Sequence, residues 1–463
     1  MKKLVSTLLT LIMSITVVAT AVGCGPSEGD PVEAGATVIT MYSYNFEEYQ
    51  TTWYEKVKKE FNSILDDGLQ LDVKYFDKNT YASALQVARE NGNAPDIFWC
   101  SCGNLYNLVV KFDHAVDLQD YMPQEKLDDI IESHKVNVTY GGEIIGYPQY
   151  IEPSLMFFYR KSIFEQAGIT KVPTTWSELL DACAKVKPLL KKGQYALGIP
   201  DASAMAWATP GIQVNTTGGY AVSEDWMTNR VNENDAGWRA LTELFWDINE
   251  QEYAPSAPLT EEFDFILQAL CEGALAMTMG MSTGIATCSR TYPEEMDDIG
   301  YAIMPTWDES ELGQEGPTAV NGGWNYLISK SSDEEHRKGA AKVIEFFCCD
   351  SPERTAGLFE AGAYSRSSPN KSVREYINQN MPEEYKEIQA IINEVAETGV
   401  RPANYNWGIT NAVGNMLCKM FNYNTHDPSD KQAKVTQAIM EARQDIDKVI
   451  NATSYTGNPE YIK

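Results

Sequence analysis

An α/β body with mostly parallel sheets is the fold class this 463-residue sequence predicts, on three observations. Short β-rich runs alternate with longer helical patterns, two tetrapeptides have the form of helix-opening capping boxes, and no internal repeat is evident. Val38–Tyr42 is the first strand candidate, and Glu47–Leu65 follows it as a helix. Leu69–Phe76 is the next strand. Thr80–Glu90 is a helix stopped by Gly92, a residue able to take the left-handed turn that ends helices. Asp96–Cys100 is a third strand, the unbroken apolar run Leu155–Tyr159 a buried one, and Tyr195–Ile199 another. Thr175-Trp-Ser-Glu178 and Ser332-Asp-Glu-Glu335 are the capping boxes. A last helix from about Ser429 puts Val435, Ile439, Ala442, Ile446 and Val449 on one stripe.

Residues 1–23 read differently. Lys2 and Lys3 precede the uncharged, mostly apolar Leu4–Val22, and small Gly23 stands directly before Cys24. A basic start, an apolar stretch and a small residue at the cut describe an export signal. Ala21-Val-Gly-Cys24 resembles a bacterial lipobox, with Ala21 where leucine is usual. That resemblance implies cleavage before Cys24 and lipid on its thiol, which anchors a chain to a bilayer without spanning it. A retained transmembrane helix is the alternative, diluted by Ser6, Thr7, Thr10, Ser14, Thr16 and Thr20. Residues 24–36, rich in Gly, Pro and acids with no apolar period, form a flexible tether. No second long apolar run follows, so the body is expected to be soluble.

Composition excludes some functions. Sixty-five acids against 37 bases give a formal net charge of −28, which opposes nucleic acid and electrostatic docking on anionic lipid. Besides Cys24 there are Cys100, Cys102, Cys183, Cys271, Cys288, Cys348, Cys349 and Cys418. An even count in an exported chain invites disulfides, yet the spacing is not that of a staple framework. Small buried hydrophobes are the simpler reading for most of them. No four ligands group by spacing, so neither a metal nor any cofactor is expected.

Farther along, Ala94-Pro-Asp-Ile-Phe-Trp-Cys-Ser-Cys-Gly-Asn104 is followed by Ala115–Met122, then Gly142-Glu-Ile-Ile-Gly-Tyr-Pro-Gln-Tyr-Ile-Glu152, Leu155–Gly168 and Val172–Leu180. Glu272-Gly-Ala-Leu-Ala-Met-Thr-Met-Gly280 and Gly322-Gly-Trp-Asn-Tyr-Leu-Ile-Ser-Lys330 come later. In order and spacing this series resembles the family 1 extracellular solute-binding proteins, sugar receptors of ABC importers related to maltose-binding protein. The resemblance runs over nearly all of Val38–Asn451. It implies a two-lobe periplasmic-binding-protein type II fold with a ligand cleft between lobes, closing on a carbohydrate, expected to be an oligosaccharide, and presenting it to ABC permease subunits. The expected lobes are 37–150 with 296–330, and 151–295 with 331–463, crossings falling near Gln149–Glu152, near Arg290–Asp298 and after Lys330. A monomer on the outer face of the bacterial cytoplasmic membrane is expected.

A sugar site needs flat aromatic faces for the apolar patches of a pyranose and planar polar groups for its hydroxyls. Tyr44 and Asn45 end the first strand; Trp99 to Asn104 end the third. The resemblance places Trp99 at a cleft tryptophan, Cys102 at a cleft aspartate, and Glu152, beside Tyr150, at a hinge-side acidic sugar contact. It places Trp207, in the small-residue loop Ala202–Pro210, and Tyr405 with Trp407, in Arg401–Ile409, near stacking aromatics. Trp324 follows Gly322 and Gly323, which permit close backbone approach. Trp99 and Trp324 fit the core equally well, and Glu152 fits a hinge salt bridge. Trp176 reads as packing. The adjacent acids Glu47-Glu48, Asp66-Asp67, Glu261-Glu262 and Asp297-Asp298 point apart and read as solvated faces.

One catalytic pattern competes. Gly280-Met-Ser-Thr-Gly284 fits a nucleophile elbow after the strand-like Ala274–Met279, with Ser282 as nucleophile and His336 or His426 as base. No HGGG-type oxyanion segment precedes it. A serine hydrolase is therefore the alternative to a receptor, in which the same turn delivers Ser282 to the cleft.

Overall fold

The computed structural model describes residues 35–463 except 45–46, 65–67, 78–79, 201–204, 207, 256–262, 309–318, 404, 422–426, 456 and 459–463. Cys24 and its tether to Ala34, with Asn45, Trp207 and His426, lie outside the described residues. Two sheets are built from β1 (Thr37–Tyr44), β2 (Leu69–Phe76), β3 (Ile97–Ser101), β4 (Tyr147–Ser154), β5 (Met156–Arg160), β6 (Tyr195–Gly198), β7 (Leu275–Gly280), β8 (Ile299–Ile303) and β9 (Val320–Ile328). The first sheet has the order β2-β1-β3-β9-β4 and the second β8-β5-β7-β6.

Both sheets are mixed, which corrects the expectation of mostly parallel pairing. β1 runs parallel to β2 and β3, but β9 is antiparallel to β3 and β4. In the second sheet only β6 and β7 are parallel. The antiparallel partners are the strands that carry the chain between sheets, and a strand that returns from the other lobe runs against those that began in its own.

Lobe boundaries also move. β4 passes into β5 through Leu155, buried and at φ 54°. A left-handed leucine is uncommon; here it turns the chain out of one sheet and into the next, a few residues beyond the expected crossing. The second crossing is not near Arg290–Asp298. β8 pairs with β5 from Ile299↔Arg160 to Ile303↔Met156, and the Trp307 amide still donates to Asn215 Oδ1 at 3.0 Å. The chain joins the first sheet only at Val320. Nor does it leave after Lys330. Helices α1 (Glu48–Ile64) and α2 (Glu334–Cys348) pack on the first sheet, the Phe347 ring lying 5.8 Å from Trp53 and 6.4 Å from Tyr326. The return runs through Ser367, bridged to Ile151, and helix α3 (Lys386–Thr398), whose Ile388 and Ile392 join Met156 and Phe158 in a core under the second sheet.

Local patterns match the structure more closely. β2 has the expected bounds, and all six residues of β7 are buried. The last helix, Lys431–Ile450, buries Val435, Ile439, Ala442 and Ile446 against helices Ala236–Glu250 and Trp407–Lys419. Thr175 accepts the Glu178 amide at 3.3 Å, while the Glu178 carboxylate returns to the Thr174 amide at 2.7 Å. The second cap is Asp333, not Ser332: its carboxylate accepts the His336 amide at 2.9 Å. The eight described cysteines are free and buried. No described helix is long and apolar enough to cross a membrane.

Candidate functional site

The C-terminal ends of β1 and β3 meet the glycine-rich start of β9, and this is where the predicted aromatic residues divide. Tyr44 and Trp324 are half-buried, edge to face with centroids 4.6 Å apart. Tyr44 also stacks on Tyr81 at 4.3 Å, and burial pushes its hydroxyl pKa up to about 12. Tyr81 is fixed in turn, donating to the Trp99 carbonyl at 2.9 Å and accepting the Trp99 amide at 2.7 Å. Trp99 itself is core. Its ring is 1 % exposed and lies among Tyr54, Trp324 and Tyr326. It supports the Tyr44–Trp324 pair from behind and offers no face to a cleft.

Asn104 and Trp407 meet across the two lobes. Trp407 opens helix α4 (Trp407–Lys419), which the Asn406 side chain caps by accepting the Gly408 amide at 2.7 Å. The Trp407 indole donates to Asn104 Oδ1 at 2.9 Å, and 41 % of the residue stays exposed. Asn104 donates to Ser101 Oγ at 3.0 Å, and Ser101 is the register partner of Trp324. Tyr44, Trp324, Asn104 and Trp407 thus form one linked patch of three aromatic rings and one amide. Tyr405 is buried instead, its ring edge-on to Tyr220, whose hydroxyl donates to the Arg401 carbonyl at 2.6 Å.

Glu152 is clamped by an arginine that sequence reading missed. Arg366 reaches Glu152 Oε1 through Nη2 at 2.9 Å and Nε at 3.0 Å, and Glu47 Oε1 at 3.4 Å. Its guanidinium lies 4.7 Å from the centre of the Tyr150 ring, and it also meets the Tyr49 hydroxyl. Tyr150 is wholly buried under it. Arg290 of helix α5 (Gly284–Thr291) approaches Glu47 Oε2 at 3.7 Å, stacks over Tyr49 at 4.7 Å and donates to the Ala361 carbonyl at 3.2 Å. The hinge salt-bridge reading of Glu152 is therefore the one the geometry realises. Glu47 is no solvated face either. Glu48 is exposed, and Asp298 is committed to Arg160 at 2.7 Å. Arg366 lies in Tyr364–Ser368, which has no periodicity to flag it.

Cys102 does not face a cleft. Its thiol is wholly buried, 3.6 Å from His134 Nε2 and 3.4 Å from Asn325 Nδ2, and His134 Nδ1 lies 3.3 Å from Asn137. Burial pushes the thiol pKa up to about 12 and the imidazole down to about 3, so both stay neutral.

Ser282 is likewise wholly buried after β7. Among the described residues no histidine hydrogen-bonds it: His134 meets Cys102, His336 meets Asp333 at 2.9 Å, and His114 stacks on Phe112. Among the described residues Ser282 thus has neither the base nor the access that acyl transfer needs. No group of three or more His, Cys, Asp or Glu among the described residues has the geometry of a metal site.

Comparison with known proteins agrees with this architecture. The family profile described as bacterial extracellular solute-binding protein matches residues 56–392. Among solved structures, the cyclic α-maltosyl-1,6-maltose binding protein of Arthrobacter globiformis superposes with a TM-score of 0.70 at 15 % identity, over 90 % of this chain and 99 % of its own. The GacH receptor of Streptomyces glaucescens, solved unliganded and with acarbose, gives 0.67 at 19 % identity, over 89 % of this chain and 99 % of that one. An ABC transporter solute-binding protein of Thermotoga lettingae bound to α-D-tagatose gives 0.68 at 18 % identity, over 89 % and 100 %. These likenesses fix the two-lobe fold. With most of its length matched by the family profile, the chain belongs to the bacterial extracellular solute-binding proteins.

Proposed function

We propose that the protein is the carbohydrate receptor of an ABC importer, held by a lipidated Cys24 on the outer face of the cytoplasmic membrane, and that it delivers an oligosaccharide or small glycoside to the permease. The observation that carries the ligand class is the patch of Tyr44 and Trp324 on one lobe, linked through Ser101 and Asn104 to Trp407 on the other. Three aromatic rings beside the Asn104 amide and the Ser101 hydroxyl suit the alternating apolar and hydroxyl surfaces of a sugar. Sugars named in the related structures, among them acarbose and tagatose, support the same class. The leader and its cysteine support the anchor.

A ligand that binds only the folded state raises its melting temperature by mass action. A thermal-shift screen against neutral oligosaccharides should therefore return a stabilising sugar. Trp407→Ala should then weaken that sugar by about 1–3 kcal/mol in calorimetry, through lost stacking and buried area. Stabilisation by peptides or polyamines alone overturns the carbohydrate reading; unchanged sugar affinity in Trp407→Ala overturns the patch. Intact mass of the native protein should show a lipid-modified Cys24 at the N-terminus, and an unmodified start elsewhere removes the anchor.

A further inference from the structure

We propose that Cys271 and Cys288 form a disulfide in the mature extracellular protein, a staple across the strand–turn–helix unit of the second sheet. The two residues stand at different ends of that unit. Cys271 closes the helix Phe263–Cys271, and Cys288 lies within α5. Both are buried in one apolar cluster with Ile266, Leu267, Leu270 and Ile285, and their side chains hydrogen-bond to each other. The other close thiol pairs, Cys100 with Cys102 and Cys348 with Cys349, are near neighbours in sequence, where a disulfide would constrain little. This pair instead encloses residues 272–287, which hold β7 and the turn through Ser282.

The chemistry of the two sites differs too. Burial pushes the thiols of Cys100, Cys102, Cys183, Cys348 and Cys349 up. Cys271 is pushed down, chiefly by the Cys288 hydrogen bond, with Arg160 nearby contributing against desolvation. Arg160 is held there by donating to the Cys271 carbonyl at 3.0 Å and by its ion pair with Asp298. One of the two thiols, as its thiolate, attacks a donor disulfide, either a small-molecule disulfide or an extracytoplasmic thiol–disulfide oxidoreductase, and releases one donor thiol. The other cysteine then displaces the second. Two S–H bonds are lost and one S–S bond is made; the donor leaves as two thiols carrying the two protons and two electrons. Because both sulfurs are buried, exchange belongs to folding, before the two helices close over them. The staple fixes the unit whose Arg290 meets Glu47 of the first lobe.

The inference rests on the extracellular placement of the family only for its oxidising compartment. Full-length protein isolated from the cell surface is denatured in alkylating agent without reductant and digested. The Cys271 and Cys288 peptides should appear linked, and the peptides of Cys183 and Cys418 alkylated. The same is done after refolding reduced full-length protein in mixed reduced and oxidised glutathione. Reductant should lower the melting temperature by roughly 3–4 °C in the wild type and leave the Cys271→Ala/Cys288→Ala double variant unchanged. Alkylated thiols at both positions in both preparations overturn the geometry. Linkage in glutathione with free thiols in the cell-surface protein overturns the staple as a property of the mature protein and locates the failure in the compartment.

Discussion

Arg366→Ala should destabilise the fold by about 3–5 kcal/mol, the cost of removing one partner from a buried ionic cluster. The arginine side chain is 7 % exposed, and the carboxylates it serves, Glu47 and Glu152, are 14 % and 13 % exposed. Alanine leaves both acids largely out of water without their shared cation. The remaining base, Arg290, is 46 % exposed and stands 3.7 Å from Glu47, too solvated and too distant to substitute. Loss of the guanidinium also uncovers the Tyr150 ring beneath it. Arg366→Lys should recover only part of the loss, because an ammonium cannot present the fork that reaches Glu152 through two nitrogens. Urea denaturation of both variants measures this, and a double-mutant cycle with Glu152→Gln isolates the pair. A loss below about 1 kcal/mol would mean that the cluster behaves as a solvated surface network. The cluster also joins the lobes, since Arg290 comes from α5 and Glu47 directly precedes α1. Its loss should therefore change the closing equilibrium together with stability.

What the sequence made legible follows from how far each signal reaches along the chain. β2 and the final helix rest on local periodicity, and both appear close to where the pattern puts them. The glycine pair before Trp324 likewise announces close backbone approach without long-range information. Apolar periodicity says that a segment is buried but not against what. That is why periodicity alone does not show that Ile299–Ile303 pairs with β5 in the second sheet, or that Phe347 of α2 packs on Trp53 in the first lobe. The inward turn of Cys102 depends on His134 and Asn325, and the capture of Glu152 depends on Arg366. None of these partners lies within a helical turn or a strand of the other, so no local pattern connects them. Family position gave Trp99 as a cleft residue; its 1 % exposure makes it the support of Tyr44 and Trp324 instead.

Gly323→Ala should be the most damaging single-methyl change at the site, costing about 2–4 kcal/mol from overpacking and backbone strain together. Gly323 sits at φ 139°, a conformation that side chains rarely adopt. A Cβ there would stand 2.2 Å from the Tyr150 carbonyl oxygen and 3.5 Å from Ile151 Cα. Those atoms belong to the paired backbone of β4, Gly323 facing Ile151 in register, so no flexible side chain can move aside. Relief requires β9 to part from β4 next to the irregularity between Trp324 and Asn325. That displacement carries Trp324 away from Tyr44, now 4.6 Å from it, and so separates the aromatic pair on the first-lobe side of the patch. Gly322→Ala is the matched control. Its φ is not positive and its Cβ would stand 3.0 Å from the Glu152 carbonyl oxygen, a tighter fit than usual but one that a shift of a few tenths of an ångström relieves. Stability by urea denaturation and sugar affinity by calorimetry should both fall in Gly323→Ala and change much less in Gly322→Ala. Equal stability of the two variants would show that β9 and β4 can separate freely there. The rigid placement of Trp324, on which the proposed sugar patch depends, would then be lost.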